Sequence, residues 1–244
     1  MIIDASIVQT FTPTGVLRAS INVGNPILAR RGASGEPEGV SIDLARAFAQ
    51  RLGVPVQLVV HDSAGKSVDT VTEERADIGF FAIDPVRGAG ILFTEAYVLI
   101  EGAYLVRENS PLRERDEVDR DGISVTVGLG SAYDLYLTRE LKHAAIERAP
   151  TSPAVVDTYM QNGTDVAAGV KQQLEADMQR HPGLRLLPGA FMTICQAMGL
   201  PKGRGEAAAN VLRAFVEDMK ASGFVADALK RHRIEGAAVA PLAK

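Results

Sequence analysis

Short apolar runs rich in β-branched residues alternate along the chain with amphipathic stretches of helical period. This alternation is typical of βαβ units and predicts an α/β protein. Ser41 before the first helical stretch and Gly53 at its end match the residues preferred at helix caps. In the first third of the chain, strands are predicted at 17–23, 54–60 and 77–83, and helices at 42–53 and 66–75.

The second part of the chain repeats this pattern after a long apolar strand, predicted at 94–106. A charged linker follows, and a new βα unit begins after Gly122. Its strand at 123–130 leads into a helix at 131–144. The remaining predicted elements are a helix at 154–162, a strand at 165–170, a helix at 171–180, a long apolar strand at 190–200 and two C-terminal helices separated at Gly223.

Two long strands bracket a self-contained middle segment, and this arrangement predicts a discontinuous domain organisation. Residues 1–99 and 199–244 are expected to form the first lobe, with residues 100–198 inserted as the second. Because the chain crosses twice, the two crossing strands would form a hinge, and ligands often bind in the cleft beside such a hinge.

Composition narrows the class of protein. The chain has 244 residues, of which 46% are hydrophobic and 23% charged, so it can build one large or two medium cores. The net charge of −4, with both signs spread along the sequence, does not suggest a nucleic-acid partner. Cys195 is the only cysteine, which excludes an intrachain disulfide. No run approaches the roughly 20 apolar residues of a membrane span.

The N-terminal segment MIIDASIVQTFTPTG lacks the basic region, the apolar region and the cleavage site of a secretory signal. Two interpretations follow. A leader was removed and the protein works in the periplasm, or Met1 is the native start and the protein works in the cytoplasm.

Arg87 is the first candidate for ligand binding. Asp84 and Pro85 before it have the residue types of a helix start, an N-cap acceptor followed by proline at the first helical position. An arginine in that first turn can direct a planar, permanently charged guanidinium toward an anion. The alternative is that Arg87 pairs with a local carboxylate, either Asp84 or Glu95.

Ser131 is the second candidate. It follows Gly130 at the start of a predicted helix, where its hydroxyl and the amides of Ser131 and Ala132 can converge on an anion. The alternative is an ordinary serine N-cap that needs no ligand.

Five segments, in this order, resemble the family-3 periplasmic solute-binding proteins, the receptors of polar amino-acid importers. They are EGVSIDLARAFAQRLGV (38–54), ERADI (74–78), IDPVRGAGILFTEAY (83–97), GISVTVGLGSA (122–132) and MGLPKGRGEAAANVLRAFVEDMKASG (198–223). The resemblance implies a two-lobed type II periplasmic-binding-protein fold, in which each lobe is a βαβ-type sheet flanked by helices and two strands form the hinge. It also implies a small carboxylate ligand in the interlobe cleft and an ABC permease as partner.

The resemblance assigns roles to both candidates. It implies that Arg87 holds the carboxylate of the ligand and that the loop of Ser131 and Ala132 holds the same group from the second lobe. Counting along the family pattern puts Val170 where the amino-acid receptors carry an aspartate for the ammonium of the ligand, and Lys171 follows it. Valine cannot pair a buried ammonium. The choice between an amino acid and a neutral or purely anionic carboxylate therefore stays open.

Four further residues are expected near the ligand. Asn25 replaces an aromatic residue of the family and can form hydrogen bonds, although an asparagine before proline is also a common turn residue. Phe81 and Ala82 stand where the family has hydroxyls before the arginine. Glu101, on the first crossing strand, is either a hydrogen-bonding hinge residue or a ligand contact. Either Glu101 or Asp84 could supply the missing negative charge.

An enzyme is the main alternative to a receptor. The chain also resembles the cyclohexadienyl dehydratases, whose catalytic glutamate falls on Gln173. A glutamine has no transferable proton, so dehydratase activity and a catalytic residue are not expected. The spacing of histidines and Cys195 predicts no metal site, and no cofactor motif is present. A leaderless cytoplasmic sensor or sequestering protein is the third alternative.

Overall fold

Strands and helices alternate along the chain, which confirms the predicted α/β class. The computed structural model describes residues 3–243. Its strands are β1 (Leu17–Asn22), β2 (Arg30–Arg31), β3 (Pro37–Glu38), β4 (Val56–His61), β5 (Ile78–Ala82), β6 (Ile91–Arg107), β7 (Ser124–Gly128), β8 (Ala145–Ala149), β9 (Val166–Val170), β10 (Leu184–Leu186), β11 (Met192–Pro201) and β12 (Ala238–Val239). Its α-helices are α1 (Ala5–Phe11), α2 (Val40–Leu52), α3 (Ala64–Thr72), α4 (Ala132–Glu140), α5 (Val155–Asn162), α6 (Lys171–Arg180), α7 (Gly205–Ala221) and α8 (Phe224–Arg231).

The described residues divide into two compact units. Unit 2 is Ile100–Ile194, and the described residues before and after it form unit 1. Strands β6 and β11 each continue from one unit into the other. The sequence placed the second crossing between 198 and 199, further along the same strand β11.

The sheet of unit 1 places three strand ends at one edge. Strand β1 pairs in parallel with β4 and with β5, and β5 pairs antiparallel with β11. Because parallel strands share a direction, their last residues Asn22, His61 and Ala82 lie at the same edge of the sheet. In open α/β sheets, ligands bind beyond this carboxyl edge.

The helices of unit 1 are held by aromatic packing. The ring of Phe48 in α2 lies 4.9 Å from the ring of Phe11 and 4.9 Å from that of Phe215, measured between centroids. All three rings are buried, so α1, α2 and α7 share one apolar contact. Helix α2 ends at Gly53, whose φ of 71° is the left-handed conformation that glycine adopts most readily. No helix within residues 3–243 is long and apolar enough to span a membrane.

Unit 2 repeats the arrangement of parallel strands. Strand β7 pairs in parallel with β8 and β9, and β9 pairs antiparallel with β6. The strand ends Gly128, Ala149 and Val170 therefore lie at one edge. Two clusters of buried side chains stabilise this sheet, one including Leu137 of α4 and the other Leu174 of α6.

Candidate functional site

The Arg87 turn follows strand β5 at the carboxyl edge of unit 1. The structure forms a three-residue 3₁₀ turn, Arg87–Ala89, instead of the α-helix start that Asp84 and Pro85 predict. The Asp84 carboxylate accepts a hydrogen bond from the Val86 amide at 2.8 Å, and the Gly88 amide donates to the Asp84 carbonyl at 2.9 Å. These two hydrogen bonds of Asp84 are those of a turn, and they fix the position of Arg87 after strand β5.

Arg87 is a buried cation. Only 6% of the residue is exposed, and its Nη1 donates a hydrogen bond to the Ala82 carbonyl at 3.1 Å. Burial lowers the pKa of Arg87 to about 10, and the nearby Asp84 carboxylate partly opposes this shift. At neutral pH the guanidinium therefore remains charged in a largely dehydrated position, where an anion interacts with it more strongly than in water.

The alternative role predicted for Arg87 was an ion pair with a local carboxylate, either Asp84 or Glu95. The Asp84 carboxylate favours the charged form of Arg87, which supports the first of these two. The other residue in that alternative, Glu95, is exposed on β6.

Asn25 lies in the turn after β1, at the same edge of unit 1. The Asn22 carboxamide oxygen accepts from the Gly24 amide at 2.8 Å, and a Cβ on Gly24 would come within 2.5 Å of the Asp62 carbonyl oxygen. Glycine is therefore required for this close approach. The side-chain oxygen of Asn25 is buried and accepts no hydrogen bond from the residues that the structure describes. Such a group is costly to bury unless a donor reaches it.

Phe81 and Ala82 contribute differently from each other. The ring of Phe81 packs in a buried cluster with Val71, Ala76 and Ile91, so this side chain stabilises the core. The structure gives no support for the predicted ligand contact by this ring. Ala82 contributes its carbonyl, which orients Arg87.

Ser131 caps helix α4 in unit 2. Its hydroxyl oxygen accepts from the Asp134 amide at 3.0 Å, as expected of a serine N-cap. The Ser131 amide donates to the Gly128 carbonyl at 3.0 Å, so it is engaged within the turn. The predicted convergence of two amides on an anion is therefore reduced to the Ala132 amide, at the first position of the helix.

Replacing Ser131 by alanine should destabilise unit 2 by about 1 kcal/mol, because the Asp134 amide loses its acceptor. Urea unfolding followed by circular dichroism measures this change. Ser131→Thr, which keeps a hydroxyl acceptor, is the matched control and should retain most of the stability. Equal stability of Ser131→Ala and the wild type would show that the cap contributes nothing.

Glu101, Val170 and Lys171 lie together in unit 2. The Lys171 ammonium is 3.1 Å from the Glu101 carboxylate, and Val170 pairs with Gly102, the residue after Glu101. About half of each charged side chain is exposed, so this ion pair contributes little to stability. Val170 is partly buried and packs against the apolar cluster that includes Tyr104 and Ala168. The sequence predicted Glu101 as a possible partner for an ammonium group of the ligand. In the structure, the Glu101 carboxylate already pairs with Lys171.

Each unit brings some of the predicted residues together. Arg87 contacts Ala82 in unit 1, and Glu101 contacts Lys171 in unit 2. In unit 1, Asn25 follows strand β1 and Arg87 follows strand β5, at the same edge of the sheet. In unit 2, Ser131 follows strand β7 and Lys171 follows strand β9, again at one edge. Within residues 3–243, no group of three histidine, cysteine, aspartate or glutamate side chains could hold a metal ion.

Sequence reasoning missed three residues that hold these loops. Asn22 holds the turn before Asn25. Asp134 accepts a hydrogen bond from the amide of Gly130, the residue before Ser131, and Arg148 binds Asp134. The spacing Ser-x-x-Asp from Ser131 to Asp134 is a known helix-start signal and could have identified Asp134. No local pattern links Arg148 to Asp134, because they lie on different elements.

Gln173, at the position of the dehydratase glutamate, is on helix α6. Its amide nitrogen lies 3.3 Å from each oxygen of the Asp177 carboxylate. Asp177 is buried and also accepts from Arg180 at 2.7 Å. The Gln173 side chain is thus part of a network within its own helix.

A family model described as bacterial extracellular solute-binding proteins, family 3, matches residues 17–233. A search of curated proteins finds no significant match. Among solved structures, the solute receptor for L-cysteine of Neisseria gonorrhoeae is similar with a TM-score of 0.79 and 18% identity, covering 94% of this chain and 95% of that one.

Two further structures are similar to this chain. A putative binding component of an ABC transporter from Wolinella succinogenes, complexed with lysine, gives a TM-score of 0.75 at 20% identity, covering 89% of this chain and 95% of that one. An ancestral amino-acid-binding protein, a precursor of cyclohexadienyl dehydratase, gives 0.75 at 18% identity, covering 92% and 98%. At these identities the likeness establishes the fold, that of the two-lobed type II periplasmic binding proteins.

Proposed function

Because this chain belongs to family 3 of the bacterial extracellular solute-binding proteins, we propose that it binds a small polar carboxylate as the substrate-binding component of an ABC importer. The ligand is an amino acid or a related organic acid. The observation that carries this proposal is the buried, charged guanidinium of Arg87 at the carboxyl edge of a parallel sheet.

The carboxylate of the ligand pairs with Arg87 in this proposal. A guanidinium can donate two parallel hydrogen bonds to a carboxylate, and such charge-assisted bonds are stronger than neutral ones. The Ala82 carbonyl already holds Nη1 in place, so little side-chain entropy remains to be lost when the ligand arrives.

The second unit supplies the Ala132 amide at the N-terminus of α4, where the helix dipole favours an anion. Ligand binding then favours the conformation in which residues of both units contact the ligand, because only that conformation gains both sets of contacts.

The remaining contacts bear on the ligand class. The buried Asn25 oxygen is an acceptor, so it suits a hydroxyl, amide or ammonium of the ligand. Glu101 would accept an ammonium only in competition with Lys171. Amino acids and their deaminated counterparts are thus both candidate ligands, and the similar structures that contain or bind cysteine and lysine make those two amino acids the first compounds to test.

Thermal unfolding with a matched set of compounds tests the proposal. The set is L-cysteine and L-lysine, each with its α-deaminated counterpart and its carboxamide. A compound present at 100 times its dissociation constant should add about 2.7 kcal/mol to the free energy of unfolding. The carboxylates should stabilise the protein and the carboxamides should not. The proposal is wrong if the carboxamides stabilise as well as the acids, or if no compound acts.

Catalysis is the second candidate, because one similar structure is a precursor of cyclohexadienyl dehydratase. Gln173 cannot act as a general acid, and its amide is engaged with Asp177. Incubation with prephenate or arogenate should therefore leave both compounds unchanged. Formation of the dehydrated aromatic product would overturn this part of the proposal.

A further inference from the structure

Asp134 is a buried carboxylate directly behind the loop of Ser131. Its side chain is 5% exposed. One oxygen, Oδ2, accepts a hydrogen bond from the Gly130 amide at 2.9 Å, while the Asp134 amide donates to the Ser131 hydroxyl at 3.0 Å. The reciprocal bonds resemble a capping box, but the carboxylate reaches the residue before the cap and not the cap itself.

The hydrogen bond from the Gly130 amide to the Asp134 carboxylate helps to fix the conformation of the loop. Gly130 has a φ of 70°, a left-handed conformation, and its amide is turned toward the helix that follows. The Leu129 amide donates to the Ala149 carbonyl at 2.9 Å, which ties the start of the same loop to the end of β8. The loop before Ala132 is therefore fixed from one side by a strand and from the other by Asp134.

Arg148, on β8, neutralises Asp134. Its Nε lies 3.0 Å from Oδ1 and 3.1 Å from Oδ2 of the carboxylate. The hydroxyl of Thr138 donates to Oδ1 at 3.1 Å and accepts from Nη2 of Arg148 at 2.9 Å. The Arg148 side chain is 40% exposed, whereas the carboxylate it neutralises is buried.

From these contacts we infer that Asp134 is a positioning residue for the ligand loop Gly130–Ala132, and that Arg148 cancels its charge there. The second part rests on the proposed function, since it concerns an anion bound at the Ala132 amide. A carboxylate at this helix N-terminus would repel an anionic ligand unless it is neutralised. Arg148 allows one buried charge to order the loop without opposing the ligand.

Amide hydrogen exchange, measured by NMR on the full chain without ligand, tests the positioning role. In Asp134→Ala the Gly130 amide should exchange at least about tenfold faster, because its acceptor is gone. In Asp134→Asn the side-chain oxygen still accepts, so protection of Gly130 should be largely retained. A wild-type exchange rate at Gly130 in Asp134→Ala would overturn the inference.

Titration with L-lysine, and with L-cysteine and the two deaminated acids as further probes, tests the charge role. Arg148→Gln should weaken binding about tenfold, since it leaves an uncompensated carboxylate near the bound anion. The double variant Asp134→Asn, Arg148→Gln should regain most of the affinity, because both charges are removed. A purely structural role would not produce this rescue.

Arg180→Gln is the matched control. It also removes the arginine partner of a buried carboxylate, Asp177 of α6, at 2.7 Å, but that pair does not contact the loop. Equal weakening by Arg180→Gln and Arg148→Gln, or no rescue in the double variant, would overturn the charge role. If the wild type binds none of the probes, the proposed function and the charge role both fail, while the exchange rate of Gly130 still decides the positioning role.

Discussion

Replacing Arg87 by methionine should weaken carboxylate binding on the order of 100-fold. Removing one partner of a desolvated ion pair typically costs about 2–5 kcal/mol of binding free energy, and 1.4 kcal/mol corresponds to about a tenfold change in affinity. Methionine keeps an unbranched apolar stem and has no charge, so the packing around the stem of Arg87 is largely retained while the guanidinium is removed. Isothermal titration with the tightest-binding acid of the compound set measures the change.

Arg213→Met is the control for this substitution. Arg213 also belongs to unit 1, donates from Nε to the Phe93 carbonyl at 3.2 Å and pairs with Glu206 at 2.8 Å. The Arg213→Met substitution should leave the affinity for the acid unchanged. Full affinity in Arg87→Met would show that the carboxylate binds elsewhere.

The same arginine predicts the pH dependence of binding. Burial depresses the pKa of Arg87 to about 10, below its ordinary value, so the free protein loses this charge at a lower pH than an exposed arginine does. Affinity for a carboxylate should stay constant from neutral pH upward and fall as the pH passes about 10. The bound anion favours the charged form, so the pKa of Arg87 is higher in the complex than in the free protein.

Replacing Asp77 by alanine should destabilise unit 1 by about 3–5 kcal/mol. The Asp77 side chain is completely buried, and Arg18 binds it through the backbone amide at 2.8 Å, Nε at 3.0 Å and Nη2 at 2.7 Å. Arg204 donates to it at 3.2 Å. Hydrogen bonding to the Asp77 carboxylate raises the pKa of Arg18. Alanine would leave both arginines without their shared partner.

Urea unfolding at neutral pH measures the effect of Asp77→Ala. Asp77→Asn, which keeps acceptors for part of the network, should fall between the alanine variant and the wild type. Glu73→Ala removes an exposed pair with Arg75 and should change stability far less. A similar small loss in Asp77→Ala and Glu73→Ala would contradict the role assigned to the buried network.

The local rules of sequence predicted the elements well where the pattern is periodic and the caps are local. Helix α2 was predicted at 42–53 and is observed at Val40–Leu52, because its apolar period and the Gly53 cap depend on residues close in sequence. The predicted cap by Ser41 is wrong, since the N-cap is Gly39 and Ser41 lies within the helix. The helix predicted at 131–144 ends at Glu140. Beyond it, the amides of Lys142, His143 and Ala144 bind the Asp119 carboxylate, a contact between distant residues that no local pattern shows.

The candidate site could be predicted only in part, for the same reason. The Ser131 cap follows from residue types that act within one turn of helix. The orientation of Phe81 does not, because every residue of β5 is buried and an all-apolar strand gives no alternation that separates its two faces. The helix predicted from Asp84 stops after one turn, since Gly88 and Gly90 have low helix propensity and β6 begins at Ile91.

A crystal structure with the tightest-binding acid of the compound set would show which groups of the protein bind the carboxylate. We expect the carboxylate of the ligand to lie within hydrogen-bonding distance of the Arg87 guanidinium and of the Ala132 amide. A bound acid whose carboxylate contacts neither group would contradict this expectation.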